Sequence, residues 1–173
     1  MLSTTDRIFL DCSARDLREL VGRIETCLDQ LTDEQVWTRG SENQNAAGNL
    51  ALHLAGNVRQ WIVSGLGGKP DARDRASEFR ARGGVGTPEL AALLRAAVEE
   101  AAAVIERLSA GDLSRRLTIQ GYEVSGLEAV YHVVEHFSMH TGQILFLTKM
   151  LTGTDLGFYR HLDANAGNGS PTP

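Results

Sequence analysis

The sequence predicts an all-α protein built as a four-helix bundle, with a short hairpin before the last helix. Three observations carry that prediction. Long segments repeat apolar residues at steps of three and four, the spacing of one helix face. Capping residues and glycine or proline breaks divide these segments into four lengths. The chain has 173 residues, 42% of them hydrophobic, enough for one domain with its own core.

In the first segment Leu10, Ala14, Leu17, Val21, Ile24, Leu28 and Leu31 form a stripe, which predicts a core-facing helix over residues 4–31. Thr32-Asp33-Glu34 offers turn and capping chemistry, and residues 37–45 read as a polar connector. The second helix is expected over 44–64, with Ala47, Leu50, Leu54, Val58 and Trp61 as its stripe. Gly65-Leu66-Gly67-Gly68-Lys69-Pro70 stops it. Residues 71–86 read as a charged, glycine-bearing loop; no strand precedes the glycines and no Gly-Lys-Ser/Thr follows, so a phosphate cradle is not indicated.

Thr87-Pro88-Glu89 starts the third helix, with threonine as cap and proline in the first turn. It runs to about Leu108 and is closed by Ser109-Ala110-Gly111-Asp112. Residues 115–124 suit a short hairpin. Ser125 caps the fourth helix, with Glu128 in the capping-box position, and that helix reaches about Leu151. Residues 1–151 are therefore expected to form a single bundle domain, and 152–173 a C-terminal tail.

Composition narrows the partners. A formal net charge of -5 without a lysine or arginine block argues against nucleic acid. No apolar run approaches the roughly 20 residues a membrane span needs, and the amino terminus lacks a signal-peptide pattern. The expected location is the cytoplasm. Cys12 and Cys27 fall on one expected helix, about 22 Å apart at its rise per residue, so they read as reduced, packed thiols.

The chemistry-bearing pattern is histidine. His136 and His140 stand four apart, so one helix face presents both. His53 lies on the second helix beside its apolar stripe and can face them across the bundle. Three imidazoles suit zinc, nickel, iron or copper and leave coordination positions open. Helical phasing sets His136 and His140 nearer the core than His132, which reads as a neighbour of the site rather than a ligand. Asn57, one turn after His53, and Gln143, one turn after His140, can orient a ligand, solvent or substrate. Glu135 is phased away from the row; His161, Arg59 and Arg160 read as surface groups. The protease signature His-Glu-x-x-His, the Gly-x-Ser-x-Gly elbow and the Glu-x-x-His pairs of di-iron bundles are all missing.

Two stretches resemble a known family. Residues 49–61, Asn-Leu-Ala-Leu-His-Leu-Ala-Gly-Asn-Val-Arg-Gln-Trp, are similar to the second-helix motif of the DinB/YfiT-like superfamily. Residues 132–144, His-Val-Val-Glu-His-Phe-Ser-Met-His-Thr-Gly-Gln-Ile, resemble its fourth-helix motif. Trp61-Ile62-Val63-Ser64-Gly65 and Asp155-Leu156-Gly157-Phe158-Tyr159 look closest to an uncharacterised bacterial branch. The resemblance implies an up-down-down-up bundle, often dimeric, with a divalent metal, often zinc or nickel, on His53, His136 and His140. It also implies use of a low-molecular-weight thiol in S-transfer or isomerisation, or a role in the DNA-damage response without a known reaction. One departure stands out: many relatives read His-His-Arg-Gly-Gln where this chain has Met139-His140-Thr141-Gly142-Gln143. The leading expectation is thus a metal-dependent enzyme of the thiol S-transferase or isomerase type, acting on a small-molecule substrate. The alternatives are a non-catalytic metal-binding stress-response protein and a metal-assisted hydrolase with His132 as base.

Overall fold

The computed structural model describes residues 1–160 and 162; the expectation for His161 lies outside the described residues. Helix α1 (Thr4–Leu28) opens on a reciprocal cap. The Asp6 amide donates to Ser3 Oγ at 3.1 Å and the Ser3 amide donates to Asp6 Oδ2 at 2.8 Å. The expected stripe is its buried face, though α1 ends at Leu28, earlier than the sequence indicates; Leu31 is buried beyond its end.

Helix α2 (Ala47–Val58) begins where Asn49 Oδ1 accepts the Ala46 amide at 3.1 Å. It passes directly into a π-helix, Arg59–Leu66, which replaces the plain α-helix expected there. The wider i→i+5 winding is common where helices serve function, and periodicity alone does not reveal it. The expected loop over 71–86 also contains a short helix, α3 (Arg75–Arg80), capped when the Ser77 amide donates to Asp74 Oδ1 at 3.1 Å. Helix α4 (Thr87–Ile105) is capped by Gly86 rather than Thr87, because the Glu89 carboxylate reaches back to the Gly86 amide at 3.2 Å. Ser109-Ala110-Gly111-Asp112 does more than close α4: Ser109 and Asp112 cap a further turn, α5 (Ala110–Ser114).

The expected hairpin is present as β1 (Arg116–Ile119) and β2 (Tyr122–Ser125), antiparallel, with Ile119 opposite Tyr122. Gln120 and Gly121 both have positive φ, 53° and 81°, as a two-residue type I′ turn requires. Helix α6 (Gly126–Thr152) carries the expected Ser125–Glu128 capping box and stops at left-handed Gly153. Beyond it, Arg23 of α1 donates to Tyr159 Oη at 3.1 Å.

The four long helices form a bundle in which α1 and α2 each pack against both α4 and α6. Cross-helix pairs give the directions. Arg18 meets Glu99 and Arg7 meets the Glu106 carbonyl, so α1 and α4 run antiparallel. His53 meets His136 and Trp61 meets His132, so α2 and α6 are antiparallel. Leu52 and Leu93 share a cleft wall while Arg59 pairs with Glu100, which makes α2 and α4 parallel. The order is up-down-down-up. Two parallel consecutive helices need a connection as long as themselves, and α3 lies within it. Leu17, Ile24, Leu54, Leu94 and Phe137 fill the shared core, while the α2–α6 seam admits buried polar groups.

Candidate metal centre

Three imidazoles converge on the α2–α6 seam. The ligand-type nitrogens of His53, His136 and His140 all lie within 4.8 Å of one another. His53 Nε2 is 2.9 Å from His136 Nε2, and ring centroids are separated by 5.0 Å for His53–His136, 5.2 Å for His53–His140 and 4.5 Å for His136–His140. Nitrogens held about 2.0–2.1 Å from one tetrahedral ion stand roughly 3.3 Å apart, comparable with the closest pair here. The group could therefore hold a metal ion.

Protonation fits the same reading. Burial, followed by the neighbouring His140, His53 and His132, depresses the His136 pKa to about 3. Burial likewise lowers His140 against the opposing pull of Gln143. Both rings are thus neutral at neutral pH, the form in which imidazole donates a lone pair. His140 Nδ1 lies 2.7 Å from Gln143 Oε1. With the carbonyl oxygen as acceptor, the proton sits on Nδ1 and Nε2 is left free.

His53 is oriented by residues that sequence reasoning missed. Its Nδ1 lies 3.0 Å from Glu78 Oε2 and 3.0 Å from Arg73 Nη2. Only one of these can be a hydrogen bond to a given tautomer. Arg73 already donates to both Glu78 oxygens, Nε to Oε1 at 2.7 Å and Nη2 to Oε2 at 2.9 Å. A carboxylate can only accept, so Nδ1–H donates to Glu78 and Nε2 turns its lone pair to the cluster. Burial pushes the Glu78 carboxyl up, but hydrogen bonds from Arg73 and His53 outweigh it and hold the group below its ordinary range. The pair is almost sealed: the Arg73 side chain is 3% exposed and that of Glu78 9%.

The chain builds this support from short-range pieces. Asn49, fully buried on α2, donates through Nδ2 to the Glu78 carbonyl at 2.8 Å and the Ala81 carbonyl at 3.0 Å. Arg39 Nη2 donates to Asn49 Oδ1 at 2.6 Å and to the Phe79 carbonyl at 3.0 Å. Together they dock α3 on α2. Gln60 Oε1 accepts from Arg73 Nη1 at 2.9 Å and also from Gln120, so the hairpin turn is tied to the same network.

Gly56 permits the approach of Glu78. A Cβ there would stand 2.0 Å from Glu78 Oε1 and 2.9 Å from Arg73 Nε. Alanine normally gains about 1 kcal/mol over glycine inside a helix, yet Gly56→Ala is expected to lower zinc affinity severalfold because it displaces the carboxylate. Competition with a chromogenic chelator measures this; unchanged affinity would mean that the close approach is dispensable.

The other sequence candidates fall as follows. Asn57 is 3% exposed and lines a cleft of about 390 Å³ together with His53, His132 and His136. His132 stacks on Trp61 at 4.0 Å and on His136 at 5.4 Å, beside the cluster and not within it. Glu135 is exposed. Arg59 and Arg160 pair with Glu100 and Asp155. Cys12 and Cys27 are free thiols that do not line this cleft. Thr141, at the position of the arginine in the familiar motif, is buried and donates to the Phe137 carbonyl at 2.8 Å.

Comparisons with known proteins agree with the bundle. The family described as "Protein of unknown function (DUF1572)" matches residues 4–162. No curated protein matches the chain. A conserved protein from Enterococcus faecalis has a similar structure, with a TM-score of 0.72 at 16% identity over 89% of this chain and 100% of its own. A DinB-like protein from Bacillus cereus gives a TM-score of 0.61 at 18% identity, covering 76% of this chain and 85% of its own. A DinB-like protein from Bacillus subtilis, YjoA, gives 0.65 at 18% identity, covering 85% and 96%. At such identities the likeness shows a shared fold.

Proposed function

This chain belongs to the DUF1572 family, and from its histidine cluster and adjoining cleft we propose that it is a metal-dependent enzyme in which His53, His136 and His140 hold a divalent ion, zinc or nickel. The reaction we favour is S-transfer or isomerisation with a low-molecular-weight thiol and a small-molecule substrate. One observation supports this most: the imidazoles of His53, His136 and His140 meet beside a cleft of about 390 Å³, which would let ligands reach an ion held by them. When bound, a divalent ion supplies Lewis acidity that lowers the pKa of a thiol or water reaching it.

The chain's own residues supply position and proton control. Glu78 and Gln143 fix the Nδ1 protons of His53 and His140. Asn57 offers amide donors and an acceptor to a bound molecule in the cleft. No protein nucleophile is required.

A second reading, metal-assisted hydrolysis, is favoured by His132. It lines the same cleft, and burial lowers its pKa, so a neutral ring is available to take a proton from water. A non-catalytic metal-binding stress-response protein would have no use for an open cleft. Elemental analysis followed by turnover assays tests these readings, with several thiols against electrophilic probes and with ester substrates without thiol. Thiol-dependent turnover that follows metal content supports transfer; thiol-independent turnover supports hydrolysis. Full metal occupancy with neither activity would favour the binding protein. The proposal includes a homodimer in the cytoplasm, and sedimentation velocity checks the dimer. Among the described residues no helix is long and apolar enough to cross a membrane.

A further inference from the structure

The cleft beside the histidines carries its own recognition chemistry. Asn57 is 3% exposed and lines this cleft. Its amide carries donors and an acceptor that a ligand in the cleft can pair with. Arg75 is an exposed residue on the cleft wall. Its neighbours Arg73 and Arg80 are paired with Glu78 and Asp74, whereas Arg75 pairs with no carboxylate among the described residues. Its guanidinium lies over Phe79, 4.8 Å from the ring centroid, and Phe79 lies 4.7 Å from the His53 ring. The stack sets this free cation one ring away from the cluster.

The opposite wall is aromatic. Tyr122 of β2 is exposed, His132 is half-buried, and both lie against Trp61, at 6.5 Å and 4.0 Å between centroids. Such rings stack with planar groups. The carboxylate lining this cleft, Glu128, is held through one oxygen: Oε2 accepts the Ser125 amide at 2.6 Å and Arg116 Nη1 at 3.3 Å. An anionic ligand finds both a guanidinium and an amide donor on the cleft wall.

We propose that this cleft binds a small planar carboxylic acid, aromatic or conjugated, with its carboxylate between Arg75 and Asn57 and its plane against Tyr122 and His132. The inference rests on reading the histidine cluster as an active site and names the substrate class for it. The size agrees: about 390 Å³ lies at the small-molecule end of ligand pockets.

The test uses the zinc-loaded full chain and calorimetric titration with benzoate and cinnamate, each against its uncharged primary amide. The acids are expected to bind at least about tenfold more tightly than the amides, the worth of a charge-assisted hydrogen bond. Arg75→Gln should erase that preference with zinc content unchanged, and Arg75→Lys should restore part of it. Equal binding of acid and amide, or an acid preference that survives Arg75→Gln, would overturn the proposal. Repeating the titration on chelator-treated protein separates the two readings. Acid preference that persists without zinc upholds the cleft even if the metal assignment fails. Zinc bound at full occupancy with no acid preference removes the substrate class and leaves the metal assignment standing.

Discussion

Replacing His136 with alanine is expected to empty the metal site while leaving the bundle folded. His136 is central to the cluster: its Nε2 lies 2.9 Å from that of His53, and its ring centroid is 4.5 Å from that of His140. Removal leaves two imidazoles, too few to hold zinc well. The fold should tolerate the loss, because the ring is half-buried at a polar seam and alanine favours the helix. In wild type, zinc at a hundred times its Kd should stabilise the fold by about 2.7 kcal/mol. In His136→Ala the same zinc should leave the melting temperature unchanged. His132→Ala provides the contrast: it removes a ring stacked on His136 but lying outside the cluster, and should keep its zinc response. A full zinc response in His136→Ala would remove His136 from the ligand set.

Glu78→Gln is expected to act on both stability and metal binding. Arg73 and Glu78 form a nearly sealed ion pair, and removing one charge from such a pair costs about 3–5 kcal/mol because the other is left buried. Glutamine keeps the shape and one acceptor, so the lower end of that range is expected. Metal affinity should fall about 10–100-fold, since the carboxylate that fixes the His53 tautomer is gone. The two effects can be separated. Arg73→Met combined with Glu78→Leu removes both charges, and should regain much of the stability without regaining metal affinity. Chemical denaturation and chelator competition measure the two quantities. Recovery of affinity in the double variant would show that Glu78 acts on the site through stability alone.

How much of this was legible follows from the kind of signal each part leaves. The long helices write their buried faces over many turns, so the Leu10 to Leu28 stripe and the Ser125–Glu128 cap announced themselves. His53, His136 and His140 were visible because i, i+4 spacing and helix phase both constrain where a ring points. Gln143 followed from the same geometry and stands at His140 Nδ1. Helix α3 left too little trace: six residues make under two turns, too short for a period, and its arginines and glutamate looked like a solvated loop. The buried Arg73–Glu78 pair therefore stayed hidden, because each charge is buried only by virtue of the other. Asp74 as a cap and Phe79 as an apolar anchor were the available hints. The π-helix was invisible for a different reason, since Arg59–Leu66 satisfies an α-helical pattern equally well. Gly56, read only as part of a motif, gained its reason once Glu78 was in place.

The most direct test of the account is X-ray absorption at the zinc edge of the reconstituted full chain. It predicts three imidazole nitrogens at about 2.0–2.1 Å with one further light-atom ligand from solvent, and near-complete loss of bound zinc in each of His53→Ala, His136→Ala and His140→Ala. A coordination shell containing sulfur, or one with fewer than three imidazoles, would contradict it.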